Sequence, residues 1–284
     1  MAISTYRGDI TLPAELGREI LAKMQTESAV MTLARQIELP GRGVEIPVIT
    51  ADPEAAWVAE TDPKPVSNPT LTSKLMSAYK LAVIVPFSNE FRRDAASLYD
   101  ELVRRLPRAL AQKFDATVIG GVTAPGTNFD TFASATAQDI SGTGTYAALV
   151  AADGDIAANG GIMNGIALSP QGKSLLLGAV DGDNRPLFIN NVSEGAVPMV
   201  LGAKTVLSKG MYAAGTPNIV GVAGDWTQAI YGTVEGLEIG YSADATLVSG
   251  GTTINLFQRN MFAVRAEIEV GFRADVSCFN LLTD

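Results

Sequence analysis

The strongest hydrophobic pattern in the chain predicts a long helix over residues 88–121. Large apolar side chains recur at every fourth position, a spacing that lines them up along a helix; they are Leu98, Leu102, Leu106, Leu110, Phe114 and Val118. Residues 88–90, Ser-Asn-Glu, offer capping chemistry at the start, and Gly120-Gly121 is typical of a helix end. Because this spacing drifts about 40° per step around a helix, the stripe contacts more than one neighbouring surface. Pro107 lies inside the pattern and is expected to bend the axis.

Alternating or β-rich apolar patterns predict strands at Val44–Val48, Leu75–Val85 and Ala263–Val276. Six prolines fall between positions 47 and 86, so this region is predicted to be edge or two-stranded structure. Two paired strands of about ten to fifteen residues would extend roughly 35–50 Å. A chain of this length has a radius of gyration of only about 19 Å when it is compact. Composition leaves two alternatives open, a projecting hairpin that a neighbouring molecule buries or an ordinary sheet edge.

The rest of the chain gives shorter patterns. Residues 13–37 are predicted to form two short helical pieces, one with Leu16, Ile20 and Met24 and one with Val30, Leu33 and Ile37. Neither piece has a local core, so we interpret this segment as an arm that packs on something else. We expect a loop or short hairpin over 122–140, alternating helical and extended pieces over 145–180 with a helix at 171–179, and strands and turns up to 255.

Composition excludes large classes of chemistry. The 284 residues contain no His and one Cys, which excludes a Ser-His-Asp triad, a Cys-His pair, His-ligated metals and an internal disulfide. Thirty acidic residues against twenty-one basic ones give a net charge of -9, unlike the basic footprint of a sequence-reading nucleic-acid binder. Residues 141–255 alone carry nine acidic and four basic groups.

The sequence shows no secretory signal at its N-terminus. Its longest apolar run, Leu81–Phe87, is about a third of the length that spans a membrane. We therefore expect a soluble protein made in a reducing cytoplasm, with no membrane partner.

Two glycine-containing segments match part of a nucleotide-binding motif. Residues 142–147 have the spacing of a dinucleotide loop, but 134–141 do not form the pattern of a buried strand before it. Gly172-Lys173-Ser174 matches the end of a P-loop, but Ala167 occupies the position of its first glycine. Neither segment is predicted to bind a nucleotide.

The remaining candidates for chemistry are single residues or pairs. Asp181 and Asp183 could hold a hard cation, although Asp-Gly and Asn more commonly form a turn. Cys278 is interpreted as a small buried hydrophobe, and Trp57 and Trp226 as packing anchors rather than ligand platforms. We therefore predict no catalytic residue, no cofactor and no metal. A His-free hydrolase with a pair of carboxylates stays a distant alternative, because no local motif identifies such a pair.

Taken in order, the segments resemble the major capsid proteins of tailed double-stranded DNA bacteriophages, and the resemblance covers essentially the whole chain. The pieces that carry it are Ala56–Glu60 (AWVAE), Tyr79–Asp94, Phe114–Gly121, Leu201–Val206, Gly224–Ala229 and the Phe279–Thr283 ending (FNLLT). No single piece is specific, but their order along the chain is.

The resemblance implies an α+β fold with the named parts of that family. These are an N-terminal arm at 1–40, an extended E-loop hairpin at 41–86, a P-domain with a long spine helix at 87–140, an A-domain at 141–255 and a P-domain return strand at 256–284. Because the arm is assigned from residue 1 onward, the scaffolding function is expected from a separate protein or not at all. Deletion of residues 50–74 is expected to leave a folded subunit that fails to assemble.

The resemblance also implies a function: a major capsid protein, not an enzyme, that self-assembles into hexamers and pentamers of an icosahedral shell around phage DNA. It would be made in the host bacterial cytoplasm and reside in the virion capsid. Its partners would be other copies of itself, engaged through the N-arm and E-loop, with scaffolding, portal and decoration proteins and non-specific contact with packaged DNA as further expectations. The alternative within the same fold is an encapsulin-type compartment shell that holds a cargo enzyme.

Overall fold

A computed structural model describes residues 23–41, 43–51, 57–58, 64, 70–90, 96–181, 183, 185–188, 199–234 and 236–284. The α-helices whose two ends both lie within these ranges are α1 (Ala29–Leu33), α2 (Ala96–Val118), α3 (Thr145–Ala158) and α4 (Pro170–Gly178). The strands are β1 (Arg35–Glu38), β2 (Val44–Ala51), β3 (Thr70–Met76), β4 (Tyr79–Ser88), β5 (Thr136–Asp139), β6 (Gly165–Leu168), β7 (Met199–Val200), β8 (Ala203–Leu207), β9 (Ile219–Gly224), β10 (Ala229–Thr233), β11 (Glu238–Ser242), β12 (Thr246–Ser249), β13 (Thr252–Asn255), β14 (Met261–Ala274) and β15 (Phe279–Thr283).

The first sheet is built around β14, the long C-terminal strand that the sequence predicts. β4 pairs with β14 over ten residues, and β10 and β11 follow one another along its opposite edge. The edges are opposite because Val270 pairs with both Tyr79 and Thr233. β1 adds to β10 in parallel and completes five strands. With strands on both edges, most side chains of β14 are buried.

The second sheet has six strands in the order β5-β15-β9-β6-β8-β7. Helices α3 and α4 pack on it and bury Leu149, Ile156 and Leu176 against Ile166 and Val220. The observed α4 confirms the helix predicted over 171–179, and α3, β6 and α4 confirm the alternation over 145–180. The prediction of a loop or hairpin at 122–140 is wrong for residues 136–139, because they form an edge strand beside β15.

The two sheets share one aromatic core. Phe132 lies between Phe272 of β14 and Phe279 of β15, with ring centroids 5.6 and 4.4 Å away. Trp226 packs edge-on against both Phe132 and Phe279. Since these rings come from both sheets, the sheets are held together by buried apolar surface rather than by a flexible linker.

Helix α2 confirms most of the predicted long helix. Leu106, Leu110, Phe114 and Val118 of its apolar stripe are buried, whereas the side chains of Leu98 and Leu102 lie outside the described residues. The helix runs through Pro107 instead of ending there. It ends before Gly120, whose φ of +86° and close approach to Ala133 both require glycine.

The two helical pieces predicted over 13–37 are only partly observed. Residues 1–22 lie outside the described residues, 23–27 are helical, and α1 covers only 29–33. The prediction is wrong for residues 35–37, which lie in strand β1 beside β10. The apolar spacing through Ile37 fits a helix, but parallel pairing with a sheet edge satisfies the backbone of this segment instead.

The region of the six prolines contains a two-stranded hairpin, β2 with β3, joined by residues 52–69. The predicted single run over 75–85 is wrong, because residues 77–78 divide it between β3 and β4, which belong to different sheets. Pro47 lies in the hairpin and Pro86 in β4, at the edge of the first sheet, as a residue without an N–H donor requires. The strands have eight and seven residues, or about 25 Å, which is shorter than predicted.

Candidate assembly surfaces

The β2–β3 hairpin leaves the body of the protein from a buried base. Met76, the last residue of β3, is fully buried and pairs with Val44 at the start of β2. Gly43 precedes this pair with a φ of +84°, and a Cβ there would lie 2.4 Å from the carbonyl oxygen of Met76. Within the described residues, β2 and β3 pair only with each other. The hairpin is therefore attached at its base and carries an unpaired edge on each side.

Arg273 of β14 holds the base of the β2–β3 hairpin against the first sheet. Its Nε and Nη2 donate to the carbonyl oxygen of Leu75 at 2.9 and 2.6 Å, and its Nη1 donates to Asp130 Oδ1 at 2.7 Å. Nη2 also donates to Asn128 Oδ1 at 3.1 Å. Because the guanidinium group is planar and only 12% of the side chain is exposed, these bonds hold β3 in one orientation on the first sheet. Sequence patterns gave no sign of this contact, which joins residues almost two hundred positions apart.

A second anchor joins the N-terminal segment to the body. Asp115 of α2 is fully buried and accepts hydrogen bonds from Ser28 Oγ at 2.5 Å and Ser208 Oγ at 2.6 Å. The backbone N–H groups of Ala29 and Val30 also donate to it, at 3.0 and 3.4 Å. Ser28 caps α1, and Ser208 caps the short turn after β8. One carboxylate thus connects the N-terminal segment, α2 and the second sheet.

Burial raises the pKa of Asp115 from 3.8 to about 6. The hydrogen bonds from Ser208, Ser28, Ala29 and Val30 lower the pKa and oppose part of this effect. No local motif in the sequence distinguishes Asp115 from the other acidic residues. The available signal was an acidic residue beside Phe114 and one helical turn from Val118, on the side of α2 that its apolar stripe buries.

Several large apolar side chains are exposed, and such groups often mark protein–protein contacts. They occur in the loop of the β2–β3 hairpin, on one face of α3 and around the β12–β13 hairpin; they are Trp57, Val58, Tyr146, Val150, Val248 and Phe257. Trp57 is fully exposed in the single chain. The interpretation of Trp57 as a packing anchor is therefore wrong within the subunit, because none of the residues that the structure describes covers it.

The other residues singled out from the sequence have structural roles. Trp226 is a packing anchor as predicted: it is 2% exposed, and its Nε1–H donates to the carbonyl oxygen of Gly165 at 2.9 Å. Cys278 is buried, and burial raises the pKa of its thiol, so it is a small hydrophobe rather than a nucleophile. Asp181 Oδ1 accepts the backbone N–H groups of Asp183 and Arg185, which makes this pair part of a turn.

The two glycine segments are also structural. Residues 142–144 form a single 3-10 turn before α3, and the strand that precedes them, β5, is an edge strand with mostly exposed side chains. Gly172 lies inside α4, where a Cβ would come within 2.7 Å of the carbonyl oxygen of Val220. This glycine therefore allows close helix–sheet packing. Across the described ranges, no group of three or more Cys, Asp or Glu side chains is arranged to hold a metal ion.

Among the described helices, none has the length and apolar character needed to cross a membrane.

Comparison with known proteins agrees with this architecture. The model of the phage capsid family matches residues 8–276. A probable major capsid protein of Mycobacterium phage L5 is 31% identical over 96% of this chain and 89% of its own, and that of phage D29 is 29% identical over 96% and 90%. A solved structure from Microbacterium phage Oxtober96 superimposes with a TM-score of 0.75 at 24% identity, covering 90% of this chain and 91% of that one.

The fold is thus the α+β fold of tailed-phage capsid proteins. The chain belongs to the phage capsid family, and it is a major shell protein of a phage head. The matches favour neither the encapsulin-type compartment nor the carboxylate hydrolase.

Proposed function

We propose that this shell protein self-assembles into hexameric and pentameric capsomers that close into an icosahedral shell around double-stranded DNA. Neighbouring subunits would be engaged by the N-terminal arm, 1–40, and by the E-loop, 41–86. The remaining parts would be a P-domain, 87–140 with the return strand 256–284, and an A-domain, 141–255. Catalysis forms no part of this role.

The observation that carries the proposal is the β2–β3 hairpin. An isolated two-stranded hairpin is marginal in water, and this one has no third strand within the described residues. Its loop exposes Trp57 completely, and burying an aromatic side chain of that size stabilises a contact by about 1.5–3 kcal/mol. A hairpin that is fixed at its base, and that lacks a third strand within the described residues, suits an element that pairs with a second subunit.

Other partners follow from the same role. A shell of this kind requires an opening for DNA, so a portal protein is proposed, and scaffolding or decoration proteins are compatible with it. The net charge of -9 suits containment of DNA without sequence recognition. Synthesis would take place in the host bacterial cytoplasm, with the mature protein in the virion.

Electron microscopy of the purified full-length chain, or of particles that contain it, tests the proposal. We expect closed shells with five-fold and six-fold capsomers. A chain that stays monomeric under every assembly condition, with or without co-expressed phage proteins, would contradict it.

A further inference from the structure

Two grooves flank the N-terminal segment where it crosses the body of the subunit. The first, about 650 Å³ in volume, lies between residues 23–27 and α2 and also reaches Lys209 after β8. The second, about 560 Å³, lies between residues 32–35 and the second sheet and reaches Lys204 at the start of β8. We call the two together the arm-flanking strip.

The strip is strongly basic although the chain is acidic. Among its described lining residues, the first groove has the cationic side chains Lys23, Arg105, Arg108 and Lys209 and the acidic side chain Glu27. The described lining of the second groove includes Arg35 and Lys204 and no acidic side chain. All six cationic residues are exposed. Glu27 already faces Arg108, with Oε2 and Nε 3.5 Å apart. The described residues of the strip therefore carry six positive charges and one negative charge, on a chain whose net charge is -9.

Its length suits a polymeric anion better than a single small one. Lys204 lies near the start of β8, and Lys209 opens the short turn that follows the strand, so five residues of chain, at most about 16 Å, separate the two. Duplex DNA carries one phosphate charge for about every 1.7 Å of its axis, so the same length presents roughly nine phosphates. Several of these phosphates can meet separate lysine and arginine side chains at the same time.

We propose that the arm-flanking strip contacts the phosphate backbone of the enclosed DNA without reading its sequence. This inference rests on the proposed function, since it assigns a surface to the DNA that the shell contains. An acidic surface would repel that DNA, and a local basic strip is what allows attachment. By the same argument, the strip belongs to the side of the subunit that faces the interior of the shell.

The test uses the unassembled full-length chain and a fluorescent duplex of about 30 base pairs and arbitrary sequence, with binding followed by anisotropy over a range of salt concentrations. The variant combines Arg35→Gln, Lys204→Gln and Lys209→Gln. A control removes three exposed charges elsewhere, by Lys64→Gln, Arg185→Gln and Arg259→Gln. The net charge changes equally in both, so any difference between them reports position.

If three phosphate contacts are lost, the slope of log K against log salt falls by about 2.7 in the strip variant and stays as in the natural chain in the control. A second variant, Lys204→Arg with Lys209→Arg, keeps the charges and should keep the slope. This variant separates loss of charge from damage to the fold, which circular dichroism monitors in all of them.

A strip variant that binds DNA with the slope of the natural chain would overturn the inference. So would a variant that keeps its affinity for DNA but loses binding to a polyglutamate peptide, because the strip would then serve an acidic protein segment. Shell formation by the natural chain is measured separately by electron microscopy. Shells combined with an unchanged slope reject only the strip, whereas absence of shells rejects the proposed function and leaves the DNA measurement interpretable.

Discussion

At the scale of single residues, the Asp115 carboxylate stabilises the attachment of the N-terminal segment and at the same time carries an electrostatic penalty. Its four donors come from α1, the residue that caps α1, and the turn after β8. A shift of its pKa from 3.8 to about 6 corresponds to about 3 kcal/mol against the ionised form. The contact therefore depends on pH.

The sign follows from proton uptake. Between pH 3.8 and about 6 the folded chain holds a proton on Asp115 that the unfolded chain has released. The free energy of unfolding contributed by this group is therefore highest below pH 4, falls as the pH rises to about 6, and is constant above that. We expect Asp115→Asn, which cannot ionise, to remove this part of the slope. Measured by urea unfolding of the unassembled chain, the change in the free energy of unfolding between pH 4 and pH 7 should differ by about 2–2.5 kcal/mol between the two proteins.

Asp244→Asn serves as the matched control, because Asp244 is exposed. The control should follow the pH dependence of the natural chain. If the free energy of unfolding depends on pH equally in the natural chain and in Asp115→Asn, Asp115 is not the group responsible for this dependence.

At the scale of elements, the β2–β3 hairpin divides into an anchored base and an outer loop. The contacts from Arg273 and the burial of Met76 belong to the base, and the Ala51–Thr70 pair ends the ladder. Deletion of 50–74 would therefore remove most of β3 as well as the loop. A sharper variant replaces only residues 52–69 with an Asn-Gly turn, which suits two strands that end on paired residues.

We expect this variant to fold with a free energy of unfolding within about 1 kcal/mol of the natural chain, because it keeps Arg273, Met76 and the paired residues of β2 and β3. We also expect it to form no shells, as judged by electron microscopy. A variant that carries a Gly/Ser linker in place of 52–69, with the same number of residues, separates loop length from loop side chains. Normal shells from the Asn-Gly variant, or loss of the subunit fold, would contradict the assignment of this loop to a neighbouring subunit.

At the scale of the whole molecule, net charge and local charge act in opposite directions. Subunits that each carry a net charge of -9 repel one another, and salt screens that repulsion over about 8–10 Å at physiological strength. Assembly should therefore increase between about 20 and 200 mM NaCl, measured as the shell fraction in sedimentation. DNA binding by the arm-flanking strip should weaken over the same range. Assembly that weakens with salt would instead indicate that attraction between opposite charges dominates the contacts between subunits.

Much of the architecture follows from local pattern. The apolar stripe from Leu106 to Val118 predicts α2, the β-rich C-terminal run predicts β14, and Ser169-Pro170 precedes the predicted α4. These elements are visible because their periodicity reflects burial along one side of a helix or within a sheet. The absence of histidine excludes several classes of catalytic and metal site, and the order of the segments already resembles that of the capsid family.

The features that local pattern does not predict depend on contacts between segments far apart in the chain. Residues 35–37 are predicted to be helical but lie in a strand, since the edge of β10 offers backbone partners that a local pattern does not contain. In the sequence, Asp115 looks like any acidic residue of a helix. Its partners Ser28 and Ser208 are 87 and 93 positions away along the chain, and only folding brings them to it. The arm-flanking strip likewise brings together cationic residues from α2, the N-terminal segment, β8 and the turn after β8. Periodicity records which side of an element is buried, whereas the partner that buries it exists only after the chain has folded.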